Sequence, residues 1–191
     1  ISEDGKEWGH LGASWSYEKA TDDQVTFNAA RDTEIISTIF TTGTINAERF
    51  NIVGLEGAVN WNQFSVQGEY VIADVDKGAG PNGQLDSFYV QGSLYLTGEN
   101  RRYARRSGSI ARFKPKQNFS WNKNWSEGRG TGALQLAVRY SELDLNDSDA
   151  GIAGGEQESL TVGLNWELNL VSRVMYNYVH ADFSSGVGAD N

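Results

Sequence analysis

The sequence predicts an all-β, antiparallel, transmembrane β-barrel, and three observations carry this prediction. Stretches of about ten residues alternate apolar and polar side chains along most of the chain, as strands with one apolar and one polar face do. No stretch longer than two turns has the apolar spacing of a helix, and no apolar run approaches the length of a transmembrane helix. Large aromatic residues cluster next to turns, as they do in the interfacial girdles of membrane barrels.

Six stretches alternate clearly, and three weaker ones bring the predicted count to about nine strands. A tilted strand needs about 9 to 11 residues to cross the hydrocarbon core, whereas strands of a soluble β-sandwich, the alternative architecture, usually have about 5 or 6. Strand length therefore favours the barrel. The clear stretches begin at Leu11, Val53, Phe64, Phe88, Leu134 and Leu160, and the weaker ones are residues 24–31, 34–46 and 173–183.

The alternation also assigns individual side chains to the two faces of the predicted sheet. One face is expected to meet lipid or a neighbouring subunit, and the other to line the pore, because neighbours along a strand point to opposite sides. The residues expected on the lipid side are Leu134, Leu136, Val138, Tyr140, Val162, Leu164 and Trp166, and those expected on the pore side are Gln135, Arg139, Thr161 and Asn165.

Turn lengths predict the orientation of the barrel. Two short turns, at residues 62–63 and around Asn169, contrast with long, acidic, glycine-rich loops at 74–85 and 146–157. Outer-membrane barrels have short periplasmic turns and longer extracellular loops. Successive connections between strands lie on opposite sides of the membrane. Residues 98–130 are therefore expected on the periplasmic side, where a turn of this length is unusual.

Residues 98–130 hold most of the positive charge of an acidic protein. Nine of the 16 basic residues lie here against two acids, a net charge of +7, while the rest of the chain has seven basic residues and 23 acids, a net charge of −16. Crowded cations repel by roughly 1 kcal/mol per pair at ~4 Å in water. Oxyanions relieve that repulsion, and arginine suits their geometry. We expect this periplasmic-side turn to fold into the barrel lumen, the alternative being a solvated basic loop.

Eight basic side chains are the candidate anion-binding, pore-lining residues. Seven belong to the basic turn, and the eighth lies on the polar parity of a later strand, where an inward arginine is costly unless water and anions reach it. They are Arg101, Arg102, Arg105, Arg106, Arg112, Lys114, Lys116 and Arg139.

Four stretches carry a family resemblance. They are TGTINAERFNIVGLEGAVNWNQFSVQGEYVIADV (42–75), YLTGENRRYARRSGSIARFKP (95–115), GALQLAVRYSELDLND (132–147) and a segment from LTVGLNWELN to RVMYNYVHADF (160–183). They resemble the phosphate-selective porin O/P family. The resemblance implies a 16-stranded, trimeric outer-membrane porin of a Gram-negative bacterium, with pore arginines and lysines that pass phosphate or polyphosphate. A complete member is longer, so residues 1–191 are expected to be a single, incomplete barrel domain.

Other chemistry receives little support from the sequence. Glu56, Glu69 and Glu167 share a polar parity and could be read as catalytic carboxylates, but charges lining a pore explain them better. His10 and His180 are isolated along the chain. We therefore expect no enzyme, no cofactor, no metal site and no nucleic-acid partner.

Two classes of function remain open. The first is a passive, anion-preferring channel for phosphate, polyphosphate or similar oxyanions, with outer-membrane lipid, lipopolysaccharide and further copies in a homotrimer as partners. The second is a structural or partner-binding barrel whose basic loop docks an acidic periplasmic partner.

Overall fold

The computed structural model describes residues 2, 5–30, 39–104, 106–111, 113–121 and 130–184. All regular elements in these ranges are β-strands, and all paired strands are antiparallel, as predicted. None of the described residues form a helix that could cross a membrane. The strands are β1 (Glu7–Lys19), β2 (Gln24–Val25), β3 (Asn28–Ala30), β4 (Ile39–Thr41), β5 (Ile45–Asn46), β6 (Arg49–Trp61), β7 (Phe64–Asp76), β8 (Gly83–Tyr95), β9 (Tyr103–Ala104), β10 (Ser109–Ile110), β11 (Ala133–Asp147), β12 (Ile152–Glu167) and β13 (Arg173–Ser184).

Seven long strands form one sheet in the order β1-β6-β7-β8-β11-β12-β13. The shortest has 12 residues and the longest 16. At about 3.3 Å per residue, each is long enough to cross a hydrocarbon core when tilted. The first and last of these strands are the edges of the described sheet, which is open and does not close into a barrel.

The count of seven long strands corrects the predicted nine. Residues 24–31 and 34–46 were expected to be strands of the sheet, but their described parts form only the short pairs β2 with β5 and β3 with β4. The alternation in these stretches has another cause: it brings Phe27, Phe40 and Ile45 into contact with one end of the large sheet.

The described residues of the connection from β1 to β6, 20–30 and 39–48, cover that end of the sheet, and we call them the cap. Its apolar side chains pack on the sheet face that also carries Gln67 and Arg139, the polar-parity face. Val75 beneath it is completely inaccessible to solvent, and the rings of Phe27 and Phe50 meet edge to face at 5.6 Å. The buried cluster consists of Phe40, Ile45, Ala47, Ala73, Val75, Leu85, Leu145, Ala150 and Ile152.

The predicted alternation within the long strands is confirmed. Leu136 lies opposite Leu164 and Val138 opposite Val162, and all four side chains are exposed on one face, the apolar face. On the other face, the Asn165 amide donates a hydrogen bond to Gln135 Oε1 at 3.0 Å. The register therefore separates an apolar face from a polar one across the whole sheet.

The apolar face ends in a row of carboxylates. On β8, Asp86 lies opposite Ile72 and not opposite Asp74, the first acidic residue of β7. On β11, Glu142 lies opposite Phe88 of β8. At each of these two steps, the first acidic residue lies two positions closer to the strand ends that the short turns join. From β11 to β13 the first acidic residues lie directly opposite one another. The first acidic residues on the apolar face of successive strands are Asp74, Asp86, Glu142, Glu158 and Asp182.

The two long acidic loops predicted from the sequence are shorter in the structure. The loop expected at 74–85 reduces to residues 77–82, and the one expected at 146–157 to residues 148–151. The Asp147 carboxylate accepts hydrogen bonds from the backbone N–H groups of Gln84 (2.8 Å) and Ala150 (3.0 Å). Polar, glycine-rich sequence here stabilises tight connections, because carboxylate groups satisfy backbone donors that a longer loop would expose to water.

Candidate functional site

The basic segment, residues 98–130, leaves the end of β8 at the same edge of the sheet as the short turns at 62–63 and 168–172. Within its described part, β9 and β10 form a small antiparallel hairpin. The hairpin turns back over the polar-parity face, where Tyr103 contacts β1 and Arg101, two residues before it, contacts β1 and β7. That the segment enters a barrel lumen stays a prediction, since the described sheet is open.

Two side chains of β1 anchor the hairpin. Trp8 is 4% exposed, and its indole N–H donates to the backbone carbonyl of Arg101 at 2.8 Å. The Trp8 and Tyr103 rings lie 5.1 Å apart, and the Tyr103 hydroxyl is 2.7 Å from His10 Nδ1. These contacts span 93 positions in the sequence and determine where the hairpin sits on the sheet.

His10 is not isolated, contrary to the sequence-based expectation. Its Nε2 lies 3.0 Å from Glu56 Oε1 on β6, while its Nδ1 faces the Tyr103 hydroxyl. The imidazole therefore bridges the hairpin and the sheet. A sequence gives no sign of this contact, because the three residues come from distant parts of the chain.

The base of the basic segment is held by a buried acid. Glu99 is 3% exposed, accepts a short hydrogen bond from the Thr97 hydroxyl, and accepts another from the backbone N–H of Lys116 at 3.3 Å. Tyr95 and Phe113 stack nearby with ring centroids 4.7 Å apart. One of the two acids in this cationic stretch therefore has a structural role at its entry point.

Two of the predicted site residues meet on the polar-parity face. Arg101 Nη1 donates to Gln67 Oε1 at 2.7 Å, and the Gln67 amide donates to the Tyr89 hydroxyl at 3.4 Å. The Arg139 guanidinium lies 4.0 Å from the centroid of the Tyr89 ring, a cation–π contact. We call these four residues the arginine cluster. It joins an arginine of the basic segment to an arginine of the sheet.

The other predicted residues do not join this cluster. Arg102, Arg106 and Lys114 are exposed to solvent, and the Lys116 ammonium donates to the carbonyl of Gly98 at the base of the segment. Arg105 and Arg112 lie outside the described residues. A role for each of these side chains in binding anions stays a prediction.

Gln67 and Tyr89 are the members of the arginine cluster that the sequence-based prediction missed. Both lie on the polar parity of clearly alternating strands, so the pattern could have placed them on the pore side. Neither is charged, however, and a search for basic side chains passes over them. Their contribution is to orient the two guanidinium groups.

Comparison with known proteins agrees with this architecture. The model of the family described as phosphate-selective porin O and P matches residues 1–185. An uncharacterized protein of Caulobacter vibrioides is 35% identical over 103 residues, which cover 54% of this chain and 19% of that protein. Porin O of Pseudomonas aeruginosa is 25% identical over 140 residues, covering 69% of this chain and 30% of that protein.

The chain thus spans less than a third of the length of either relative in these matches. The family match extends over nearly all of it, from before β1 to the end of β13. Long alternating strands and the absence of helix in the described ranges fit that family, which is one of channels rather than enzymes. The chain therefore belongs to the phosphate-selective porin O and P family and is an outer-membrane protein of a Gram-negative bacterium.

Proposed function

We propose that the complete protein forms a closed β-barrel in the outer membrane and acts as a passive, anion-preferring channel for phosphate or similar oxyanions. The single observation that carries the proposal is the arginine cluster, in which Arg101 from the basic segment and Arg139 from the sheet lie over the same polar face. The identity of the solute, the lipid and lipopolysaccharide contacts, and a homotrimeric assembly are parts of the same proposal.

The apolar face supports barrel closure in a membrane. Its row of first acidic residues shifts by four residues over the four steps from β7 to β13. The row therefore shifts by one residue, ~3.3 Å along the strand, for each step of ~4.8 Å to the next strand, which is a slope of roughly 35°. If the carboxylates mark the water boundary, the strands tilt by this angle, which lies in the range of about 35–45° found in membrane barrels.

The polar-parity face supports a water-filled interior. Ser65, Ser93, Ser141 and Ser159 pair across strands through their hydroxyls, and Gln135 pairs with Asn165. Polar side chains directed away from lipid are typical of the channel side of porins. Arg139 stands on this face, and a guanidinium is stable there because water and anions can reach it.

The basic segment distinguishes the channel from a partner-docking barrel. A docking loop would be expected to extend from the sheet edge, whereas this hairpin is held over the polar-parity face by Trp8 and Gln67. Its cations would then act within the channel, where nearby low-dielectric walls strengthen their attraction for a permeating anion.

The test is the ion selectivity of the full-length protein in a planar bilayer. We expect the wild-type channel to prefer chloride over potassium, and inorganic phosphate to reduce the chloride current. The double variant Arg101→Gln/Arg139→Gln should lose nearly all of this block, so that an equal reduction of the current needs at least about a hundredfold more phosphate, because each charged hydrogen bond contributes roughly 1.5–3 kcal/mol. The matched control is Arg49→Gln/Arg173→Gln, which removes two arginines at strand ends that pair with Asp76 and Glu167.

Unchanged selectivity and block in the Arg101→Gln/Arg139→Gln channel, with normal single-channel conductance, would contradict the proposal. Binding of an acidic periplasmic protein to the wild type, abolished by replacing exposed Arg102 and Arg106, would then support the docking alternative.

A further inference from the structure

A cavity of about 220 Å³ opens on the polar-parity face beside the arginine cluster, on the side of the cap. β7, β8, β11 and β12 supply its polar lining, and Ala29 of the cap lies at its edge. The polar residues around it are Glu69, Ser87, Tyr89, Arg139, Ser141, Glu142 and Gln157. Cationic, hydroxyl, amide and carboxylate groups thus meet in one small space.

Arg139 is the cation of this cavity, and the hydroxyl groups of Ser87 and Tyr89 are further donors in its lining. The Arg139 guanidinium carbon lies 4.0 Å over the centroid of the Tyr89 ring. The edge of a guanidinium has the geometry to bind two oxygens of a tetrahedral oxyanion. The cation–π contact orients the group without using any of its donors.

Gln157 provides an acceptor that has no donor. The residue is 5% exposed, and its Oε1 makes no hydrogen bond to any described residue. Buried polar atoms in native proteins are almost always paired, so an exception needs an explanation. A ligand that brings its own proton would supply the missing donor.

We propose that this cavity is a subsite for oxyanions that carry an O–H group, such as hydrogen phosphate, and that Gln157 and Glu69 select them against unprotonated oxyanions such as sulfate. The inference rests on the proposed anion channel and adds a basis for discrimination within it. Arg139 binds the charged oxygens. The Gln157 carbonyl or the Glu69 carboxylate accepts the one O–H hydrogen bond of hydrogen phosphate, and dihydrogen phosphate, with two O–H groups, can donate to both.

Sulfate has the same tetrahedral shape but carries no proton at neutral pH. It would leave Gln157 Oε1 unpaired and place a bare oxygen near the Glu69 carboxylate. A site built to hydrogen-bond a ligand hydroxyl rejects an analogue that lacks it, because the buried partner then stays unsatisfied. Chloride can satisfy neither acceptor.

The experiment compares inorganic phosphate with sulfate as blockers of the chloride current through the full-length channel at pH 7. For the wild type we expect phosphate to block at about tenfold lower concentration than sulfate. Gln157→Met keeps the side-chain length and removes the acceptor, so the ratio should fall to about twofold or less. Glu69→Gln removes the negative charge, and sulfate block should then approach phosphate block.

Gln135→Met is the matched control. Gln135 is a 7% exposed glutamine on the same face, but its Oε1 already accepts a hydrogen bond from Asn165. Its replacement should leave the phosphate-to-sulfate ratio unchanged.

The outcomes separate this inference from the proposed function. Equal block by the two ions in the wild type, or a ratio that neither Gln157→Met nor Glu69→Gln alters, overturns the subsite while the anion channel stands. A channel without anion preference that neither ion blocks overturns both.

Discussion

The cap and the described hairpin of the basic segment both fold over the polar-parity face, but different forces hold them there. The cap buries Phe40 and Ile45 in a continuous apolar cluster with the sheet. The basic segment is not part of that cluster, and individual ring contacts and hydrogen bonds to Trp8, His10 and Glu99 hold it. Apolar burial is non-directional and accumulates with area, whereas a hydrogen bond fixes one atom relative to another. The cap therefore contributes stability, and the basic segment contributes position.

The largest expected effect is on the cap side. Leu85 is 2% exposed in the cluster beneath the cap, and Leu85→Ala should lower the free energy of unfolding by about 2–5 kcal/mol, since it leaves a cavity. Urea unfolding in lipid vesicles measures this. Val171→Ala, at a residue 83% exposed in a turn, should change stability by less than ~0.5 kcal/mol. Equal effects of the two replacements would show that the cluster beneath the cap adds no particular stability.

An intermediate effect is expected for the anchor of the basic segment. Trp8→Phe keeps an aromatic ring beside Tyr103 but removes the N–H donor to Arg101. Loss of about 1 kcal/mol should make the hairpin open roughly fivefold more often, with little effect on the sheet. Limited trypsin digestion, followed at the bond after Arg102, reports this opening. The control is Trp15→Phe, at a residue 70% exposed on the apolar face, and trypsin should cleave this variant at the wild-type rate. Equal cleavage rates in the two variants would show that Trp8 does not anchor the hairpin.

The smallest effect concerns the orientation of Arg139. Tyr89→Phe removes only the 3.4 Å hydrogen bond from Gln67 and should leave the reversal potential in a potassium chloride gradient almost unchanged. Tyr89→Leu also removes the cation–π contact, worth about 0.5–2 kcal/mol, and should shift the potential a few millivolts toward cation preference. A larger change in Tyr89→Phe than in Tyr89→Leu would show that the hydroxyl, rather than the ring, positions the arginine.

The same comparison explains which parts of the fold the sequence could predict. Long strands such as β11 and β12 repeat the two-residue period over more than ten positions, so the pattern is unambiguous. In the cap the alternation is equally apolar but its described strands have only two or three residues. Periodicity reports that side chains are buried on one face, and it does not report which element covers them.

The site was predicted in part for the same reason. Arg139 was assigned to the polar face from its parity, and the structure places it there. The contact between Arg101 and Gln67 depends on the hairpin turning back over the sheet, which the anchors at Trp8 and His10 determine. No local pattern encodes contacts across such distances in sequence. Charge clustering alone therefore indicated the segment but not which of its arginines meets the sheet.

In the proposed closed barrel, the slope of the carboxylate row and the number of strands together would determine the width. Sixteen strands, the number that the family resemblance implies, spaced by ~4.8 Å and tilted by roughly 35°, enclose a circle of about 15 Å radius. An ion on the axis of an empty cylinder of this size would be nearly two Debye lengths, each about 8 Å at physiological salt, from the wall. Charges on the wall alone would be screened from it. The fold-back of the basic segment, by narrowing that distance, is what would give Arg139 and its neighbours an electrostatic influence on the passing solute.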